Sequence, residues 1–268
     1  MLKLSLYFFT AGYFTAIGAG VLYLLSLVRQ QKALAAYGSF LVTMSLILLT
    51  GSLALRWVAA GRGPFSNMYE FSLSFAWGTI AGYSYLEHRY RTPQLGALVV
   101  PVAAALLWYA STLPSEIAPL VPALQNDLLL TLHVAVAVIA YGAFAAAFGA
   151  GLAYLVQRSA RFPWLPAPQV LDNMGYRAVV IGFPFMGLVI ILGAIWADVA
   201  WGRYWSWDPK ETASLVTWLV YGGYLHARHV ASWRGNRSAA LLVLGFGATL
   251  FTYFGNLFFT GLHSYKGF

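Results

Sequence analysis

Residues 128–157 read LLLTLHVAVAVIAYGAFAAAFGAGLAYLVQ, 30 positions without a charged side chain. An α-helix rises 1.5 Å per residue, so about 20 such residues cross a hydrocarbon core about 30 Å thick. The run predicts a membrane-crossing helix. Its Ala and Gly residues between 135 and 153 predict close packing against neighbouring helices. His133 sits five residues into it, about 8 Å from its start.

Similar apolar runs lie on both sides. Before it come 4–28, 37–60 (charged only at Arg56), 71–85 and 95–111; after it come about 179–199, 212–229 and 239–259. With 60% hydrophobic and 9% charged residues and a mean hydropathy of +0.69, the chain lacks the polar surface a soluble globule of 268 residues needs. The expectation is an all-α, polytopic integral membrane protein with about eight transmembrane helices and one domain over residues 1–268. The first run is longer than the apolar part of a secretory signal, so it reads as a retained span. There are no cysteines, which excludes disulfides and thiolate chemistry within the chain.

The net charge of +8 does not point to nucleic acid, because the basic residues sit in short groups between the runs, where they set topology. Eight spans put both termini on one side. With the termini external, ten basic residues are cytoplasmic (Arg29, Lys32, Arg89, Arg91, Arg158, Arg161, Arg177, Arg228, Arg234, Arg237). Six are then external (Lys3, Arg56, Arg62, Arg203, Lys210, Lys266), so the positive-inside rule favours this orientation. It puts the loop 201–212, the start of the fifth run and the end of the eighth on the external side.

That loop, WGRYWSWDPKET, carries Trp201, Tyr204, Trp205 and Trp207 within seven positions. Asp208, Pro209 and Glu211 form a helix start: an N-cap, a first-turn proline whose missing N–H costs nothing, and the partner of a capping box. Single aromatics belong to the membrane interface; four beside a capped helix predict an apolar shelf that stacks a large planar ligand. His88 and His229 lie among arginines and read as solvated. His226, toward the cytoplasmic half of the seventh run, suits either a hydrogen bond to a neighbouring helix or a ligand role. His133 and His263 fall on the same side and depth as the shelf, an arrangement suited to bis-histidine ligation of haem iron. Zinc is the rival, but it wants three or four protein ligands and few carboxylates lie near these positions. For haem propionates the external cations are Arg56, Arg203 and Lys210.

The run from Trp201 to Tyr221, with Tyr224, Leu225 and His226 after it, resembles the tryptophan-rich (WWD) signature of haem-handling proteins. Within that group it is similar to the CcsA/ResC type of system II cytochrome c biogenesis. Ser66-Asn67-Met68-Tyr69-Glu70 and Gly261-Leu262-His263-Ser264-Tyr265 resemble the same type. The likeness implies that His133 and His263 ligate haem b externally and that His226 holds it in the membrane. Trp201, Tyr204, Trp205, Trp207 and Asp208 then form the haem-binding loop.

It further implies a ResB-type membrane partner that supplies a second intramembrane histidine. Together they would act as a cytochrome c synthetase (haem lyase) complex, presenting haem at the external face for thioether attachment to apocytochrome c. The membrane would be a bacterial inner membrane or a thylakoid, with the loop periplasmic or lumenal. The alternatives are CcmC-like haem handling in system I, a secondary transporter of a hydrophobic solute, favoured by inverted repeats and broken helices, and a haem-b electron carrier, which needs paired histidines at depth.

Overall fold

The computed structural model describes residues 1–157, 162 and 164–263. These residues fold into eight α-helices and no strand. They are α1 (Leu2–Arg29), α2 (Lys32–Ala60), α3 (Met68–Tyr90), α4 (Gly96–Ser111), α5 (Asp127–Gln157), α6 (Pro168–Trp201), α7 (Pro209–His229) and α8 (Asn236–Phe254). Arg158, Arg161, Pro163, Lys266 and the Ser264-Tyr265 end of the third motif lie outside the described residues.

The eight expected runs correspond to eight helices, of which six (α1, α2, α4, α5, α6 and α8) are long and apolar enough to cross a membrane. α3 and α7 are more polar, and the reason is visible in their packing. α3 buries Ser72, Ser74, Thr79 and Tyr83, and α7 buries Ser214, Thr217, Tyr221 and Tyr224. Their polar atoms face protein: Thr217 and Thr252 share a hydrogen bond of 2.9 Å, and Ser72 pairs with the Tyr253 hydroxyl.

Several boundaries differ from expectation by five residues or more: α2 starts at Lys32, before 37, α3 ends at Tyr90, after 85, and α6 and α8 differ as follows. α6 starts at Pro168, well before 179, because proline is accommodated in a first turn and Asp172 then pairs with Arg228 at the far end of α7 (2.6 Å). α8 ends at Phe254, before 259. A 3₁₀ turn at Gly255–Leu257 follows, and the amides of Phe258 and Phe259 both donate to the Gly255 carbonyl (3.1 and 3.0 Å), turning the chain back toward α7.

α5 occupies the centre, packed against α3, α4, α6 and α8, while α1 and α2 form a hairpin leaning on α4 and α3. The small residues of α5 do what the sequence predicts: Ala137, Ala140, Ala143, Ala145, Ala146, Ala147, Ala150 and Ala153 are all buried. Where α3 crosses α5 the backbones touch. A Cβ on Gly78 would come within 2.7 Å of the Val138 carbonyl, and one on Gly142 would run into the carbonyl of Gly78. Between α2 and α3 lies a buried ion pair, Arg56–Glu70 (2.8 Å), both side chains fully buried.

Candidate functional site

The N-terminal ends of α3, α5 and α7 and the C-terminal end of α6 surround an apolar cavity of about 430 Å³. That lies within the roughly 300–1,000 Å³ usual for small-molecule sites. His133 and His263 both line it, although 130 positions separate them. Both residues thus lie at one end of the bundle.

His263 reaches the cavity through Asp208. The Asp208 side chain caps α7, accepting from the Lys210 amide at 2.9 Å, and Glu211 reaches back to the Asp208 amide (3.2 Å), so the predicted capping box is present. The same carboxylate takes the Leu262 amide on Oδ2 (2.6 Å) and His263 Nδ1 on Oδ1 (2.8 Å). Gly261 lies so close that a Cβ there would collide with Asp208 Oδ2 and come within 2.8 Å of Pro209 Cδ. Gly261-Leu262-His263 is thus the segment that docks on the capped end of α7. Burial alone would push the Asp208 carboxyl up; the His263 hydrogen bond and the Lys210 and Leu262 amides outweigh it and bring it to about 2. An anionic Asp208 holding Nδ1 leaves His263 Nε2 as the nitrogen available to a ligand. A carboxylate bonded to one ring nitrogen fixes the orientation of the imidazole and of its other nitrogen. Capping is therefore not the whole role of Asp208.

His133 projects from α5 against Trp196 (ring centroids 5.4 Å, edge to face) and the backbone of Gly193, where a Cβ would lie 3.0 Å from its Cε1. Its Nδ1 is buried without a hydrogen-bond partner among the described residues, and the residue lines the cavity. Trp196 is a wall residue that sequence reasoning missed. Its indole N–H donates to the Ala123 carbonyl (2.7 Å) and ties α6 to the loop above the cavity.

The four loop rings do not form one flat shelf. α6 ends at Gly202 in the left-handed region (φ 71°), and Trp207 is also left-handed (φ 58°). Tyr204 and Trp205 line the cavity. Trp201 packs edge-on against His263 at 4.9 Å, and Trp207, 69% exposed, stands at 89° to Trp205. The Tyr204 hydroxyl bonds Asp198, which raises its pKa.

A roof closes the cavity from residues 113–124, the loop that has no Lys or Arg. Its carbonyls are held by donors from below: Arg56 to Ser115 (3.0 Å), Arg62 to Ala118 (2.6 Å) and Trp196 to Ala123. The Ser66–Glu70 motif carries part of this support. Ser66 donates to Glu70 through both its amide and its hydroxyl (2.8 Å each), while Ser66, Asn67, Met68 and Tyr69 line the cavity. The three candidate cations separate cleanly. Arg56 is fully buried against Glu70, Arg203 is exposed in the loop, and Lys210 lines the cavity.

His226 is not part of this site. It lies 18 residues along α7 from Asp208, about 27 Å away along the helix axis, and is exposed on the outer face with Val216, Leu219 and Gly223. His88 is exposed at the end of α3, and His229 is exposed beside a second cavity near Asp172 and Arg228 at the opposite end of the bundle. Among the described residues no three His, Cys, Asp or Glu side chains gather as a metal site.

Comparison with known proteins bears on this geometry. Residues 65–263 match the family model described as cytochrome C assembly protein. Cytochrome c biogenesis protein CcsA of Guillardia theta is 37% identical over 257 residues, covering 85% of this chain and 84% of its own. CcsA of Trieres chinensis is 34% identical over 281 residues, covering 90% of each, and that of Prochlorococcus marinus (strain NATL2A) is 36% identical over 267 residues, covering 85% and 84%. Among solved structures, cytochrome c heme lyase CcmF superimposes with a TM-score of 0.77 at 15% identity over 94% of this chain. The chain spans 46% of that lyase's length, and the likeness is one of fold.

Proposed function

The chain belongs to the cytochrome c assembly protein family, and on that premise we propose that it handles haem in system II cytochrome c biogenesis. It works with a ResB-type partner, carries haem b to the external face of the membrane and presents it to apocytochrome c. All eight helices cross the membrane with both termini external, in a bacterial inner membrane or a thylakoid.

The observation that carries this reading is the meeting of His133 and His263 in one apolar cavity, His263 with its Nδ1 held by Asp208. Two imidazoles there suit the two axial positions of haem iron, and Tyr204, Trp205 and Trp196 suit a porphyrin face. The largely apolar lining favours a large apolar ligand.

Attachment joins each thiol of a Cys-x-x-Cys-His segment to a haem vinyl. A C–S bond forms at one vinyl carbon and the thiol proton goes to the other. Both thiols come from apocytochrome c, since this chain has no cysteine. What the chain contributes is orientation of two large reactants, and the apocytochrome's own histidine replaces one of the two axial imidazoles on release. His226, exposed on α7, suits haem passage against a histidine from the partner, because an intramembrane imidazole without a partner is costly.

The test is attachment of haem to an apocytochrome in cells carrying His133→Gly or His263→Gly. Each variant should insert at normal levels yet lose attachment, and added imidazole should restore part of it by refilling the iron position. Normal cytochrome c assembly in either variant would remove the ligand assignment.

A further inference from the structure

Lys210 is the second residue of α7, and its side chain turns into the cavity wall with Nζ 5.5 Å from the centroid of the Phe71 ring. Among the described residues it is the one lysine or arginine that lines the cavity. None of the three ion pairs formed among the described residues includes it.

The nearby carboxylates are engaged elsewhere. Glu211 accepts from the amides of Ser206 (2.9 Å) and Asp208, Glu70 pairs with Arg56, and Asp208 holds Leu262 and His263. Glu116, also on the wall, is exposed and lies beyond ion-pair distance of Lys210. An ammonium facing this largely apolar space, paired with no carboxylate at ion-pair distance, is stabilised by a ligand that brings an anionic group. The start of a 21-residue helix adds its own positive end at the same point. The other basic residues at this end cannot serve. Arg56 donates to Glu70 and Ser115, Arg62 donates to Ser66 and Ala118, and Arg203 does not line the cavity.

We infer that Lys210 is the anion-binding residue of the cavity and that it takes a propionate carboxylate of haem, an assignment that rests on the haem reading above. It also sets the ligand's orientation. Propionates and vinyls lie toward opposite edges of the porphyrin, so a propionate on Lys210 turns the vinyl edge away from α7, toward the incoming thiols.

The full-length protein, purified with its partner, is titrated with haem and with haem dimethyl ester, whose propionates carry no charge, and the Soret band is followed. The native protein should bind haem about 10- to 100-fold more tightly than the ester, the range for one hydrogen bond to a charged group. Lys210→Gln keeps the backbone of the capped turn; it should weaken haem by that factor, leave the ester unchanged and so erase the preference. Lys210→Arg should retain it, and Arg203→Gln should not alter it. Equal affinity for haem and ester in the native protein, or an undiminished preference in Lys210→Gln, would overturn the Lys210 assignment alone. Absence of binding by either porphyrin would overturn the haem reading together with it.

Discussion

Asp208→Asn removes a charge without changing the shape of the side chain, and the structure sets what is lost. Asn serves about as well as Asp at a helix N-cap, so the bond from the Lys210 amide survives. The amide group cannot satisfy the other two partners. If Asn Oδ1 takes the Oδ1 position, its NH₂ faces the Leu262 N–H, two donors in contact. The hydrogen bond to His263 Nδ1 also loses its ionised partner. A buried amide left unsatisfied costs about 1–3 kcal/mol, and a charge-assisted bond contributes about 1.5–3 kcal/mol. Because the two share one side chain they do not add fully, and about 2–4 kcal/mol is the expected loss in docking of residues 261–263 on α7. For haem, loss of a carboxylate that orients a ligating histidine predicts about a 10- to 100-fold fall in affinity.

The pH dependence follows from the same carboxylate. Its pKa is depressed to about 2, so its contribution is complete above the ordinary carboxylate range near 4 and is lost as pH falls toward 2. The carboxylate therefore stays ionised across pH 6 to 8, and the difference between native protein and Asp208→Asn should shrink as pH falls from 4 toward 2. Haem titration of purified protein, with thermal unfolding in the same detergent, measures both effects. Native affinity in Asp208→Asn, or a stability difference undiminished near pH 2, would refute the reasoning.

Other outcomes follow from the same geometry. Arg56→Leu strands Glu70 in a fully buried position and releases the carbonyl of Ser115, so unfolding should become easier by about 3–5 kcal/mol. The double variant Arg56→Leu with Glu70→Leu should recover most of that loss, and failure to recover would show that the pair is not the cause. Reporter fusions after Arg29, Arg91, Gln157 and Arg234 should read as cytoplasmic, and fusions after Pro119 and Phe268 as external; an external signal after Gln157 would put His133 on the wrong face. If haem passes α7 on its way out, His226→Ala should lower the haem copurifying with the complex, including haem at the external cavity. Full external loading in that variant at native protein levels would refute passage while leaving the cavity assignment standing.

Local signals were legible before any coordinates. The capping box at 208–211, the small-residue face of α5 and the place of His133 near one helix end each depend on neighbours within a few turns. The pairings that build the site are a different matter, because they join distant segments. Nothing in the sequence near Asp208 announces a bond to residues 262 and 263, and Arg56 and Glu70 belong to different helices. The four loop rings do not form a flat shelf, because Trp205 and Trp207 stand at 89° and Trp207 is exposed, orientations that composition does not reveal. Trp196 went unnoticed because a tryptophan near the end of an apolar run looks like any interface aromatic until the Ala123 carbonyl is found beneath its N–H. The polar α3 and α7 were read as spans on their apolar content, while their hydroxyl-rich faces became intelligible only against α8.

The central claim is that His133 and His263 together hold one haem in the external cavity. Its most direct test is the absorption spectrum of the purified native protein beside those of His133→Gly and His263→Gly, each recorded oxidised and reduced at matched protein concentration. The account predicts a six-coordinate, low-spin, bis-histidine spectrum in the native protein. Each variant should lose that spectrum and regain it with added imidazole. A low-spin bis-histidine spectrum that persists unchanged in both variants would contradict the account.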